Sequence, residues 1–199
     1  SDAKRSGPAR RGRGQGSERT RANPRRPRKD RNGLILPRWE TPVSKEAVRA
    51  GDGQQVLDFW GHYARITKDS VAGRTGAVMP IQPWQTHVIQ RIFARDPATK
   101  RRLARRAMVG MARKQGKSGF AAVIALYALM CEGDGAEVYG AAADREQAKL
   151  IHHAAKRMVE MDPELSEVCK LYRDAIEYVP GGSVYKAISS EAYTKEGLS

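Results

Sequence analysis

The chain has 199 residues, 36 of them Lys or Arg and 22 Asp or Glu, for a net charge of +14. Residues 1–40 carry 13 basic and 4 acidic side chains, so +9 lies in the first fifth and +5 in the other 159 residues. Two cysteines 38 positions apart (Cys131 and Cys169) and four histidines argue against a zinc centre, and no apolar run approaches the roughly 18 residues that span a membrane.

Residues 1 to about 33 contain no aromatic side chain and only scattered alanines. Such a segment cannot bury enough surface to offset its conformational entropy, and it is expected to be disordered. Its arginine clusters suit nucleic acid through counterion release, or serve as a solubilising tail or part of a longer leader. It lacks the apolar stretch of a secretory signal, and with the isolated cysteines this points to a cytosolic protein.

The segment 34–103 reads as a helical lead-in. After an irregular, Pro-punctuated start, a first helix is expected in "QQVLDFWGHYARI", with Val56, Leu57, Trp60, Tyr63 and Ala64 on one face. A Gly- and Pro-bearing loop leads to a second helix in "WQTHVIQRIFA", with Val88, Ile89, Ile92 and Phe93 inward. From residue 104 the pattern changes. "RRAMVGMA" is a short apolar run expected to form a buried strand, "RKQGKS" a turn, and "GFAAVIALYALM" a helix apolar nearly all round. "EVYGAAA" reads as a second strand, and Asp144 as the cap of a long amphipathic helix in which His152 and His153 are taken as surface residues. "PELSEVCKLY" is expected to be a smaller helix, before "AIEYV" and "SVYKAISS" form a hairpin about Pro180-Gly181-Gly182. Strand, loop, helix, strand, helix in this order predicts an α/β domain with a mostly parallel sheet flanked by helices.

The chemistry concentrates in "MARKQGKS", residues 111–118. A phosphate-binding loop of the pattern G-x-x-x-x-G-K-[ST] would have glycine where Met111 stands. The rest is present. Gly116 permits a positive φ and close backbone approach, Lys117 supplies charge at the β- and γ-phosphates, and Ser118 supplies a hydroxyl for Mg²⁺ at a helix N-terminus. Arg113 and Lys114 add positive charge, useful where γ-phosphate charge develops in hydrolysis. Upstream, "QPWQ" offers Trp84 for stacking and Gln85 for the adenine edge, although such a pair also serves as core packing plus a surface amide.

Over residues 50–199 these features resemble the large terminase subunit of tailed bacteriophages, the ATP-driven motor that packages viral double-stranded DNA into procapsids. The resemblance rests on the Pro-Trp-Gln helix start, the R-K-x-G-K-S loop, and the A-x-x-x-x-Q-A phrase that places Gln147-Ala148. In that family the first glycine of the loop is commonly replaced, so Met111 becomes an expected departure. The resemblance implies a P-loop NTPase fold, ATP and Mg²⁺ as cofactors, and Gly116, Lys117 and Ser118 as the nucleotide-binding residues, with Ser118 at the metal. Arg113 and Lys117 would act in catalysis and Gln85 on the adenine side. It further implies a homo-oligomeric ring with portal protein and small terminase subunit as partners, no membrane contact, and the cytoplasm of an infected bacterial host. The Walker B acids are expected beyond residue 199, since Glu191 and Glu196 lie in a polar stretch. A nuclease activity belongs to the longer protein, leaving residues 104–199 as the first part of the ATPase core and a poor hydrolase alone. A helicase-like P-loop ATPase and a non-catalytic basic nucleic-acid-binding protein remain alternatives on the residues themselves.

Overall fold

The computed structural model describes residues 40–189 apart from 71, 143 and 144. The basic tail, the Asp144 cap, Glu191 and Glu196 lie outside the described residues. Six helices and four strands follow in the order α1 (Lys45–Arg49), α2 (Gly53–Tyr63), α3 (Pro83–Ile92), α4 (Lys117–Cys131), β1 (Glu137–Ala142), α5 (Arg145–Met161), α6 (Pro163–Val168), β2 (Cys169–Leu171), β3 (Ala175–Tyr178) and β4 (Ser183–Ser189).

Local chemistry sets most of these boundaries. Ser44 starts α1 by accepting from the Ala47 N–H at 3.1 Å, where the lead-in was expected to be irregular. Pro83 opens α3, and the Gln85 side-chain oxygen reaches back to the Gln82 N–H at 2.7 Å. Asp162 caps α6 through the Leu165 N–H at 3.2 Å and also holds Arg65 at 2.8 Å. The expected helix in "PELSEVCKLY" is therefore shorter than its sequence suggests. Cys169–Leu171 leaves it to pair with β3 as an edge strand, because the hairpin offers ladder partners that outweigh helix propensity.

The sheet order is β1-β4-β3-β2. β1 and β4 run parallel, in register from Glu137↔Val184 to Ala142↔Ser189, while β3 pairs antiparallel with both β4 and β2. The expected α/β sheet with flanking helices is present; among the described residues its one parallel pairing is β1 with β4. The antiparallel remainder follows from the short connections at 172–174 and 180–182, which can only reverse the chain.

α4 and α5 pack on β1 and β4 and on each other. The core between them holds Trp60, Leu126, Leu129, Met158, Ile176 and Tyr185, all within 2% of full burial. Trp60 ties this core to the loop between α2 and α3 by donating its indole N–H to the Met79 carbonyl at 2.9 Å. Gly140 is required by close approach, since a Cβ there would stand 2.6 Å from the Tyr185 hydroxyl.

Two expectations are corrected. The run "RRAMVGMA" forms no strand: residues 106–112 find no sheet partner among the described residues, and Met108 is 87% exposed. The alternation of a strand is nonetheless there, with Ala107, Val109 and Met111 facing one cavity, so the sequence pattern is right and the ladder partner is what is missing. His152, expected at the surface, is fully buried beside Tyr185 with ring centroids 5.7 Å apart, whereas His153 is exposed.

The ring nitrogens of His152 make no well-formed hydrogen bond among the described residues, and the Ala175 backbone nearby only partly favours the protonated ring. Burial, more than any neighbouring charge, lowers its pKa from the ordinary 6.5. The folded state thus takes up this proton less readily than the unfolded chain, and the stability lost grows as pH falls from about 6.5 towards the depressed value. Thermal unfolding should show a midpoint that drops between pH 7.5 and pH 5, with a slope that flattens in His152→Phe. An equal slope in the variant would assign the acid sensitivity to other groups.

Candidate nucleotide site

The loop 111–118 enters α4 through Gly116, whose backbone is left-handed at φ 75°, ψ 17°. A Cβ there would meet nothing within 4 Å, so the requirement for glycine is one of backbone conformation and not of space. Lys114 is also left-handed, at φ 61°.

Lys117, the first residue of α4, folds back over the loop. Its ammonium donates to the carbonyls of Met111 at 2.9 Å and Ala112 at 2.8 Å. Arg113, Lys114, Gln115, Gly116 and Ser118 are exposed beside it. None of the backbone N–H groups from 104 to 119 meets a backbone acceptor among the described residues. The free amides at the start of a 15-residue helix, the cation above them and the Ser118 hydroxyl make a donor set suited to an anion, as helix N-termini generally are. No acidic residue lies between Asp96 and Glu132, so nothing nearby in sequence neutralises it. The structure therefore brings Arg113, Gly116, Lys117 and Ser118 together in one turn.

Gln85 is placed differently. The segment 79–85 does lie across the first turn of α4: the Trp84 ring sits 5.5 Å from Phe120, and the Met79 methyl is 3.2 Å from where a Gly119 Cβ would be. Yet Gln85 is buried, and its amide oxygen is engaged in starting α3. Gln82 is the exposed glutamine of the pair. The sequence signal was available, because Gln-Pro-x-Gln at a helix start is a reciprocal cap.

Behind the loop is a cavity of about 430 Å³, bounded by Val109 and Met111 on one side, Phe120 and Ile124 of α4 beneath, and Val138 and Gly140 of β1 opposite. Lys117 and Tyr185 also reach it. The Tyr185 hydroxyl has no hydrogen-bond partner among the described residues, and burial pushes its pKa up to about 12, so it stays protonated. No acidic side chain lines the cavity. The outer edge of β1 carries no ladder partner among the described residues. An apolar slot thus lies between the unpaired segment 107–111, the edge strand β1 and helix α4. The sequence reading missed this slot, although the apolar alternation at 107–111 was its trace.

No helix among the described residues is long and apolar enough to cross a membrane, and they hold no cluster of three or more potential metal ligands of the His, Cys, Asp or Glu type.

Comparison with known proteins gives the family. The terminase large subunit, ATPase domain, matches residues 83–199. The large terminase subunit of Enterobacteria phage HK97 is 27% identical over 151 residues, which is 74% of this chain and 28% of the phage protein. The crystal structure of the HK97 bacteriophage large terminase superposes with a TM-score of 0.58 at 26% identity, covering 71% of this chain and 28% of that one. The chain thus spans about 28% of the length of the relative it matches. With the family profile covering more than half of its residues, the chain belongs to the terminase large subunit ATPase domain family.

Proposed function

We propose that this chain is part of an ATP-driven motor that moves double-stranded viral DNA into procapsids, and that loop 111–118 holds the nucleotide. The observation that carries the reading is Lys117, poised over a left-handed Gly116 at the open amides of α4. On nucleotide arrival the ammonium exchanges the Met111 and Ala112 carbonyls for phosphate oxygens, a charge-assisted replacement for two neutral acceptors. The amides at the start of α4 complete the cradle. Arg113, exposed and unpaired among the described residues, lies in the same turn to meet charge that develops on the γ-phosphate.

The residues present fit Mg²⁺ in the usual way: Ser118 presents an exposed hydroxyl beside the phosphate cradle, and the remaining ligands would be phosphate oxygens and water. Bound there, the ion neutralises charge on the β- and γ-oxygens. The carboxylate that orients the attacking water is assigned to an apolar strand from a longer form of the protein, which would lie in the slot between Val109 and β1 and so bring its acids level with Lys117. Gln85 acts on the adenine side by setting the start of α3, and with it Gln82 and Trp84. A nuclease activity, a homo-oligomeric ring, and contacts with portal protein and small subunit belong to that longer protein, working in the cytoplasm of an infected bacterium.

The test is calorimetric titration of MgATP into this chain and into a chain extended to the length of its relative, with phosphate release followed in the second. Binding by both and hydrolysis by the longer one are expected. Failure of both to bind, in folded protein, would leave a basic nucleic-acid-binding protein as the better reading.

A further inference from the structure

We propose that Arg101, Arg105 and Arg106 form a contact surface for the phosphate backbone of DNA, separate from the nucleotide loop. The choice of DNA as the partner rests on the motor reading above; the surface itself stands on the following geometry.

The loop 95–103 is pinned. Arg95 bonds the Asp52 carboxylate at 2.6 Å and the Lys100 carbonyl at 2.8 Å. Arg102 lies 4.7 Å over the Phe93 ring and pairs with Asp52 at 3.6 Å and with Glu132. Backbone bonds from Leu103 to Ala94 and from Asp96 to Arg101, at 3.1 and 2.9 Å, close the loop. Two of the arginines near this turn, Arg95 and Arg102, are therefore spent on structure.

Arg101, Arg105 and Arg106 are exposed, and none has an ion-pair partner among the described residues. Solvated arginines are common, but they are usually interspersed with acids; here Asp96 and Glu132 bracket 35 residues without one. Asp96 is itself occupied, its carboxylate accepting from the Ala98 and Thr99 amides at 2.9 and 2.7 Å. Three unneutralised guanidinium forks within six residues, Arg101 on the pinned loop and Arg105 and Arg106 just after it, suit phosphate oxygens, for which Arg is the preferred planar donor.

These arginines do not share the phosphates of the nucleotide loop. Lys117 is anchored at the Met111 carbonyl. Arg106 lies five residues before Met111, which extended chain can separate by up to about 16 Å. That is more than the length of an arginine side chain. A ligand that spans this distance with repeated negative charge is a nucleic-acid backbone, which in duplex form carries one charge per about 1.7 Å of axis.

The experiment measures fluorescence anisotropy of a labelled DNA duplex with the whole chain, without nucleotide, over a series of salt concentrations. Replacing Arg101→Gln, Arg105→Gln and Arg106→Gln together should weaken binding at least about 10-fold at low salt and make the slope of log K against log salt shallower by about 2 to 3. The triple lysine variant at the same positions should retain most of the slope, which separates charge from any effect on folding. Titration of MgATP in parallel keeps the two sites distinct: unchanged nucleotide affinity is expected. An unchanged DNA slope in the glutamine variant would overturn the proposal and leave binding to the basic tail. Loss of MgATP affinity with DNA binding intact would overturn it in favour of the nucleotide site. A change only in sedimentation would overturn it in favour of a contact between copies of the chain.

Discussion

Lys117→Ala should lower MgATP affinity at least about 100-fold while leaving the unfolding transition of the protein almost unmoved. Hydrogen bonds to a charged group contribute about 1.5 kcal/mol or more each, and two of them make about 3 kcal/mol, or roughly two decades in affinity. Stability should hardly change because the Lys117 side chain is exposed and spans only the Met111 and Ala112 carbonyls, both on the surface. Lys117→Arg is the informative companion. Its guanidinium keeps the charge but is planar and longer, and it cannot sit between two carbonyls that a compact ammonium bridges at 2.9 and 2.8 Å, so affinity should fall nearly as far. Calorimetric titration with MgATP checks both. Affinity within about threefold of the parent in Lys117→Ala would show that nucleotide is held elsewhere.

The loop was legible because its chemistry is local. Gly116 must be glycine for its own backbone angles, and Lys117 and Ser118 follow it on the same turn of α4, so sequence adjacency already implies spatial adjacency. The same holds for the hairpin at 180–182, for α2, α3 and α5, whose periodicity records one buried face, and for α4, whose nearly uniform apolarity marks it as interior. What could not be read depends on partners distant in sequence. Whether residues 106–112 become a strand is decided by a neighbour in the sheet, and Val109 and Met111 instead line an open slot opposite β1. His152 stands on the buried stripe of α5 with Ala148, Ala155 and Val159, so helical spacing does place it inward; its polar side chain is what argued for the surface, and Tyr185 of β4 packs against it there. The burial of Gln85 was legible for the opposite reason, because a local cap at the start of α3 holds its amide oxygen against the Gln82 N–H.

The second large effect is expected away from the loop, at Trp60. Trp60→Ala should destabilise the protein by about 3 to 5 kcal/mol, the range for removing a large aromatic from a core that cannot fully collapse. Against the 5 to 15 kcal/mol of a typical domain this leaves a protein partly unfolded near physiological temperature. The milder Trp60→Phe separates two contributions. It keeps most of the ring packing against Phe120, 6.0 Å away, but deletes the indole N–H that meets the Met79 carbonyl. That carbonyl is the hinge between the ribbon at 64–79 and the segment crossing α4, since the Met79 N–H bonds Ala64 at 2.9 Å and its side chain lies against Gly119. Losing the bond should therefore lower stability by about 1 to 3 kcal/mol. It should also weaken MgATP binding several-fold, by loosening the Gln82–Trp84 stretch beside the first turn of α4. Denaturant unfolding and calorimetry on the same samples read the two effects. If Trp60→Phe lowers stability with nucleotide affinity unchanged, the segment 79–85 supports the core alone, and the adenine side of the site must be built by other residues.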